Sequence, residues 1–152
     1  MEKRIPMDSC YCCERNTLVS IPLCFDCYCK NKKLLLLLEL DAIFKECQSK
    51  GWDGCGASPM TAETVAIGKL FLTALPLNLL PSSDCISADP DGEIGIEWYK
   101  SSKRHVTISI GERKLISYAY TFGDDSWAAG TEPFGGNIPE HIVGLIRKVV
   151  GG

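Results

Sequence analysis

The sequence has only two histidines, no large excess of charge of either sign and no long unbroken apolar run. Each shortage removes a class of function. Sixteen Lys plus Arg stand against 19 Asp plus Glu, a net charge of −3, so the broad basic excess of a dedicated nucleic-acid binder is missing and only a local patch remains. The most apolar stretches, Leu34 to Leu38 and Val65 to Leu80, are too short or are interrupted by Lys69, Pro76 and Asn78, whereas a bilayer span takes about 20 apolar residues. No membrane segment is expected. A cationic start followed by an apolar stretch and a small-residue cleavage site is not found either, so the expected compartment is the reducing cytoplasm, where disulfides are rare. With 152 residues, 45% hydrophobic and 23% charged, the chain is sized for one domain with a small appendage, which excludes a multidomain enzyme.

Cysteine is what the sequence has in excess. Six of the nine, Cys10, Cys12, Cys13, Cys24, Cys27 and Cys29, fall in the first 29 residues. Cys10-Tyr11-Cys12-Cys13 and Cys24-Phe25-Asp26-Cys27 are two C-x-x-C knuckles. Such a pair suits a tetrahedral zinc ion, each knuckle presenting two thiolates from one tight turn. Cys10, Cys13, Cys24 and Cys27 are the expected ligands of one zinc, with Cys12 and Cys29 as rivals that would shorten the first knuckle or lengthen the second. Four thiolates leave no open position for water, so the metal is expected to be structural and to supply folding free energy to a unit too small to bury a core. The second knuckle runs into a helix, an arrangement that resembles treble-clef and zinc-ribbon modules. Arg15, Lys30, Lys32 and Lys33 surround the knuckles, either as a phosphate-contacting patch or as a solvated face around an anionic centre.

Beyond this unit the periodicities are clear. Leu36, Leu40, Ile43, Phe44 and Cys47 recur at helical spacing and predict a helix over about 31–49, stopped by Gly51. Leu34, Leu35, Leu37 and Leu38 add apolar side chains all round one turn, more than a single core-facing stripe needs, and they are candidates for a partner surface or dimer seam. Thr61 as N-cap, with Ile67, Leu70, Phe71, Ala74 and Leu75 as the stripe, predicts a second helix over about 61–75. From Cys85 the period changes to two. Ile94, Ile96 and Trp98, then Val106, Ile108 and Ile110, then Ile116, Tyr118, Tyr120 and Phe122 alternate with polar residues, and Asp89-Pro90-Asp91-Gly92 carries turn chemistry. The expectation is an α+β fold with a three- or four-stranded antiparallel meander, one face covered by helices and the other carrying Glu93, Glu97, His105, Thr107, Ser109 and Ser117. A glycine-rich loop over Gly123 to Gly136 follows, and then a C-terminal helix opened by Pro139. Residues 1–33 are thus the expected zinc module, 34–50 a connecting helix and 51–152 the α+β body.

Candidates for chemistry in the body are few. Asp89, Asp91, Glu93 and Glu97 lack the further oxygen ligands of a calcium loop and go straight into a strand, so they read as a hairpin turn. Cys55, between Gly54 and Gly56, is a conceivable nucleophile of a cysteine hydrolase with His105 or His141 as its base. Cys47 and Cys85 read as small buried hydrophobes. Trp127 and Phe134 either anchor a partner or pack their loop onto the body, and no lysine follows the surrounding glycines in a phosphate-cradling pattern.

The ordered series Trp52-Asp53-Gly54-Cys55-Gly56-Ala57, Asp89-Pro90-Asp91-Gly92-Glu93-Ile94 with Glu97-Trp98, and Gly130-Thr131-Glu132 with Phe134 resembles a widespread group of small bacterial proteins over about residues 51 to 150. The resemblance implies a bacterial or phage source and a compact α+β body, with no catalytic residues to carry over. By analogy with short proteins that accompany mobile elements, it suggests an inhibitor or antitoxin-like partner of a nuclease or toxin complex. The function expected from the sequence is a non-enzymatic, zinc-stabilised protein-binding module, with a nucleic-acid-binding regulator and a cysteine hydrolase as alternatives.

Overall fold

A computed structural model describes residues 25–151, with side chains from residue 30 onward. Three helices, α1 (Phe25–Cys47), α2 (Ala62–Ala74) and α3 (Glu140–Val150), combine with five strands, β1 (Ile86–Ala88), β2 (Ile94–Ser101), β3 (Arg104–Ile110), β4 (Leu115–Phe122) and β5 (Ser126–Pro133). The strands form one antiparallel sheet in the order β1-β2-β3-β4-β5, a meander in which each strand neighbours the next in sequence. The α+β class holds. The sheet has one or two strands more than the alternation suggested.

The register explains which side chains meet. Ile86 pairs with Ile96, Ile96 with Ile108, Ile94 with Ile110 and Ile110 with Ile116. Because successive strand residues point to opposite faces, this places one continuous apolar layer on one side of the sheet. All of these isoleucines but Ile86 are fully buried, and Ile86 is nearly so. The helices cover that layer: Leu36 and Leu40 from α1, Phe71 and Leu72 from α2, and Ile142 and Ile146 from α3 are each at most 1% exposed. Trp98 brings a polar atom into this core and satisfies it, its Nε1–H donating to the Leu79 carbonyl at 2.9 Å, as a buried indole requires. The opposite face carries the expected Glu97, His105, Thr107, Ser109 and Ser117.

Local chemistry sets the element ends. The Thr61 side chain accepts from the Thr64 amide, capping α2, with Glu63 in the first turn where the dipole favours a carboxylate. Pro139 opens α3, whose four buried residues Ile142, Val143, Ile146 and Val149 lie on one face. Helix α1 begins six residues before the periodicity suggested, at Phe25, and runs unbroken through the boundary at 33/34. It gives way at Gly51, whose φ is +75°.

One segment differs in kind. The expected loop over Gly123 to Gly136 contains strand β5, paired with β4 from Phe122↔Ser126 through Leu115↔Pro133. Ser126-Trp127-Ala128-Ala129-Gly130-Thr131 is poor in branched and aromatic residues, so its own strand preference is weak. Its partner supplies the packing. Gly130 sits opposite Tyr118, and a Cβ at Gly130 would lie 2.6 Å from the Tyr118 Oη, so the ring covers the glycine, a known way of stabilising a glycine in a strand.

Candidate functional site

The cysteines expected to bind zinc fall at the margin of the described structure. Cys10, Cys12, Cys13 and Cys24 lie outside the described residues, while the backbone of Cys27 and Cys29 belongs to the first two turns of α1. Among the described residues no cluster of three or more His, Cys, Asp or Glu side chains is arranged to hold a metal.

The leucine run that follows divides by helical geometry. Leu36 is buried and Leu37 packs against the core as a partly buried residue, whereas Leu34, Leu35 and Leu38 are 55%, 63% and 54% exposed. Consecutive helical residues step by about 100°, so five leucines in a row must put some on the solvent side. Leu70 of α2 is also 55% exposed. The two helices run antiparallel, with the Cys47 carbonyl accepting from Met60 N–H, a Lys69–Asp41 pair at 2.6 Å and Lys33 Nζ donating to the Thr73 and Leu75 carbonyls at 2.7 and 3.2 Å. Lys33 therefore caps the C-terminus of α2, where the dipole favours a cation, and its partial burial lowers its pKa. Lys32 Nζ donates to the Leu80 carbonyl at 3.3 Å. Two of the basic residues beside the knuckles thus carry intramolecular bonds.

The first two motif segments of the body meet in space. The Asp53 carboxylate accepts from the amides of Cys55 and Ala57 at 2.8 and 3.0 Å. These bonds, with the Ala57 amide first, hold its pKa below the usual carboxylate value. Trp52 Nε1–H closes the loop onto the Ser58 carbonyl, and Ser58 N–H donates to Pro90 O. The loop after α1 is thereby stapled to the β1–β2 turn. That turn shows the expected chemistry: Gly92 N–H donates to Asp89 O at 2.9 Å, and Gly92 has φ +89°.

An acidic group sits beside this junction. Ser109 Oγ donates to Glu93 at 2.5 Å and approaches Asp89 at 3.5 Å. Burial raises the Asp89 pKa, the neighbouring charges of Asp91 and Glu93 add to the rise, and the Ser109 hydroxyl opposes it. A cavity of about 410 Å³ opens here, with Thr61, Thr64, Glu93, Glu112 and Arg113 on its wall. Desolvation and like charges of this kind favour the neutral form of Asp89.

The proposed catalytic groups are spread over three elements. Cys55 is exposed in the stapled loop. His105 on β3 lies 5.8 Å from the Tyr99 ring and 3.4 Å from the Ser101 carbonyl. His141 on α3 faces Glu132 at 3.4 Å and the Tyr118 ring at 5.6 Å. Cys47 is buried and Cys85 half-buried, and burial, aided by Glu46 for Cys47 and by Asp84 and Glu97 for Cys85, raises both thiol pKa values, which opposes thiolate chemistry at neutral pH. Of the two aromatics in the glycine-rich stretch, Phe134 is buried edge-on against Phe71 at 5.8 Å, whereas Trp127 is 73% exposed on β5.

Sequence reasoning gave no hint of one further feature. Arg104, Arg147 and Lys148 line a shallow groove of about 580 Å³ with Phe122, Ser126 and Gly144. Arg104 Nε donates to the Lys148 carbonyl at 2.8 Å and Nη2 donates to the same oxygen, while Lys148 lies over the Phe122 ring at 5.6 Å. These cations come from the start of β3 and the last turn of α3, so no linear motif contains them. Comparison of the chain with protein-family models, with characterised proteins and with solved structures finds no match.

Proposed function

We propose that this chain is a protein-binding module in which the outer leucine face of α1 is the docking surface and a four-cysteine zinc unit precedes it. The observation that carries the reading is the exposure of Leu34, Leu35 and Leu38, each more than half open to solvent on a helix whose inner face is already fully packed. Leu70 on the neighbouring helix α2 is likewise exposed, and clustered exposed apolar side chains mark interaction sites on soluble proteins. The partner class that the motif resemblance suggests is a bacterial or phage-targeted nuclease or toxin complex.

The test is the Leu34→Glu/Leu38→Glu double variant. Both positions are exposed, so melting is expected within about 0.5 kcal/mol of the parent stability. Proteins cross-linked to the parent chain in its host cells are expected to be lost from the variant. The same set captured by both would overturn the assignment. Native mass spectrometry of the full chain is expected to show one zinc that leaves on chelation, carried by Cys10, Cys13, Cys24 and Cys27. A metal-free chain would remove the zinc unit from the proposal.

A further inference from the structure

The outer edge of β5 lies at the opposite end of the sheet from β1, against which α1 packs. Phe134 N–H donates to the Lys114 carbonyl at 2.9 Å, continuing the β4–β5 ladder one pair beyond Leu115↔Pro133. In an antiparallel pair, residues that exchange hydrogen bonds alternate with residues whose backbone groups point away. Ser126, Ala128, Gly130 and Glu132 therefore bond to β4, and Trp127, Ala129 and Thr131 turn their N–H and C=O groups outward. Among the described residues no helix or strand covers this edge. Exposed edges in soluble proteins are normally protected by lysines, bulges or prolines. Here the outward positions hold Trp, Ala and Thr, with Pro133 only at the end.

We propose that this edge pairs with a second copy of the chain, β5 antiparallel to β5, with Ala129 on the two-fold axis, independently of the leucine face. Hydrogen bonding and charge together select this arrangement. With Ala129 opposite itself, Trp127 meets Thr131 of the copy, and the three outward N–H groups of each chain all find carbonyls, giving six bonds. A shift by two residues one way sets Trp127 opposite Pro133 and keeps six bonds, because the proline carbonyl still accepts although it has no N–H to give, whereas the same shift the other way runs Thr131 past the start of β5 at Ser126. Charge favours the same register. Glu132 of one copy falls opposite Ser126 of the other, on the helix side of the sheet, and Ser126 lines the groove of Arg104, Arg147 and Lys148. Directly opposed strand residues have Cβ atoms about 5 Å apart, so each Glu132, which faces His141 of its own chain at 3.4 Å, also comes beside the rim of the other copy's basic groove. The contact is isologous and closes as a dimer, and it covers the exposed Trp127.

Sedimentation velocity of the full chain over a concentration series tests this. A monomer–dimer equilibrium is expected, and Ala129→Pro, which removes an outward N–H and leaves the β4 ladder intact, is expected to weaken it at least about tenfold with unchanged circular dichroism. Glu132→Lys and Arg147→Glu are each expected to weaken self-association severalfold. Mixing the two is expected to restore a heterodimer, because positions 132 and 147 then carry opposite charges across both halves of the contact. A monomer at every concentration would overturn the proposal. So would a dimer indifferent to these changes, or one lost only in Leu34→Glu/Leu38→Glu.

Discussion

Replacing Phe71 by alanine is expected to cost about 3–5 kcal/mol of unfolding free energy, the range for removing a large aromatic side chain from a packed core. The ring is completely buried on the inner face of α2 and meets Phe134 edge-on at 5.8 Å. It joins the helix layer to the segment that follows β5, so its loss empties a space bounded by two separate parts of the chain. In a urea titration the midpoint is expected to fall with little change in slope, because the surface exposed on unfolding is nearly the same. A domain of this size has about 5–15 kcal/mol in total, so the loss is a large share of the whole. A loss below about 1 kcal/mol would mean that the Phe71–Phe134 contact is not the junction described above.

Gly92→Ala is expected to be the most damaging substitution outside the core. At φ +89° an L-residue is strained by about 1–3 kcal/mol, and the new Cβ would lie 2.8 Å from the Pro59 carbonyl oxygen. That oxygen belongs to backbone held in place by Ser58 N–H donating to Pro90 O and by Met60 N–H donating to Cys47 O, so it has little room to retreat. The expected result is a loss of stability exceeding the strain alone, read by thermal unfolding, with amide exchange rising together at Ser58 and Met60. A variant that melts with the parent would show that the two motif segments move independently. Gly54→Ala is the control. It has a similar φ of +77° and no neighbour within 4 Å of its Cβ, so it isolates the conformational strain from the contact.

The elements legible in the sequence are those where local preference and tertiary packing agree. Thr61 caps α2, the Asp89-Pro90-Asp91-Gly92 turn forms as its residue types demand, and the alternation of β2, β3 and β4 matches their register. Strand β5 was not legible because its own residues carry little strand preference and the ring that packs on Gly130, Tyr118, comes from across the ladder. The division of the leucines was half legible: periodicity showed that there were too many for one face, but only packing against α2 and the sheet determined that Leu37 turns inward while Leu35 stays exposed. The groove of Arg104, Arg147 and Lys148 was invisible because it unites residues more than 40 positions apart through a helix C-terminus bonded to a strand end. The four zinc-ligand assignments rest on cysteine spacing alone.

The order of the sheet also bears on how quickly the molecule reaches its native state. Each strand pairs with its sequence neighbour, so four hairpin closures bring together segments separated by short turns, and little chain entropy is lost before contacts form. Helices α1 and α2 form a similar local antiparallel pair. The distant contacts include those of α3 with β2 and β3, of α2 with β2 and β3 and of α1 with β1. The kinetics expected are those of a mixed α/β domain of modest contact order, faster than a sandwich of equal strand number. Docking of α3 over preformed hairpins is the natural late step, and Ile142→Val or Ile146→Val is where it would show as faster unfolding with little change in the folding rate.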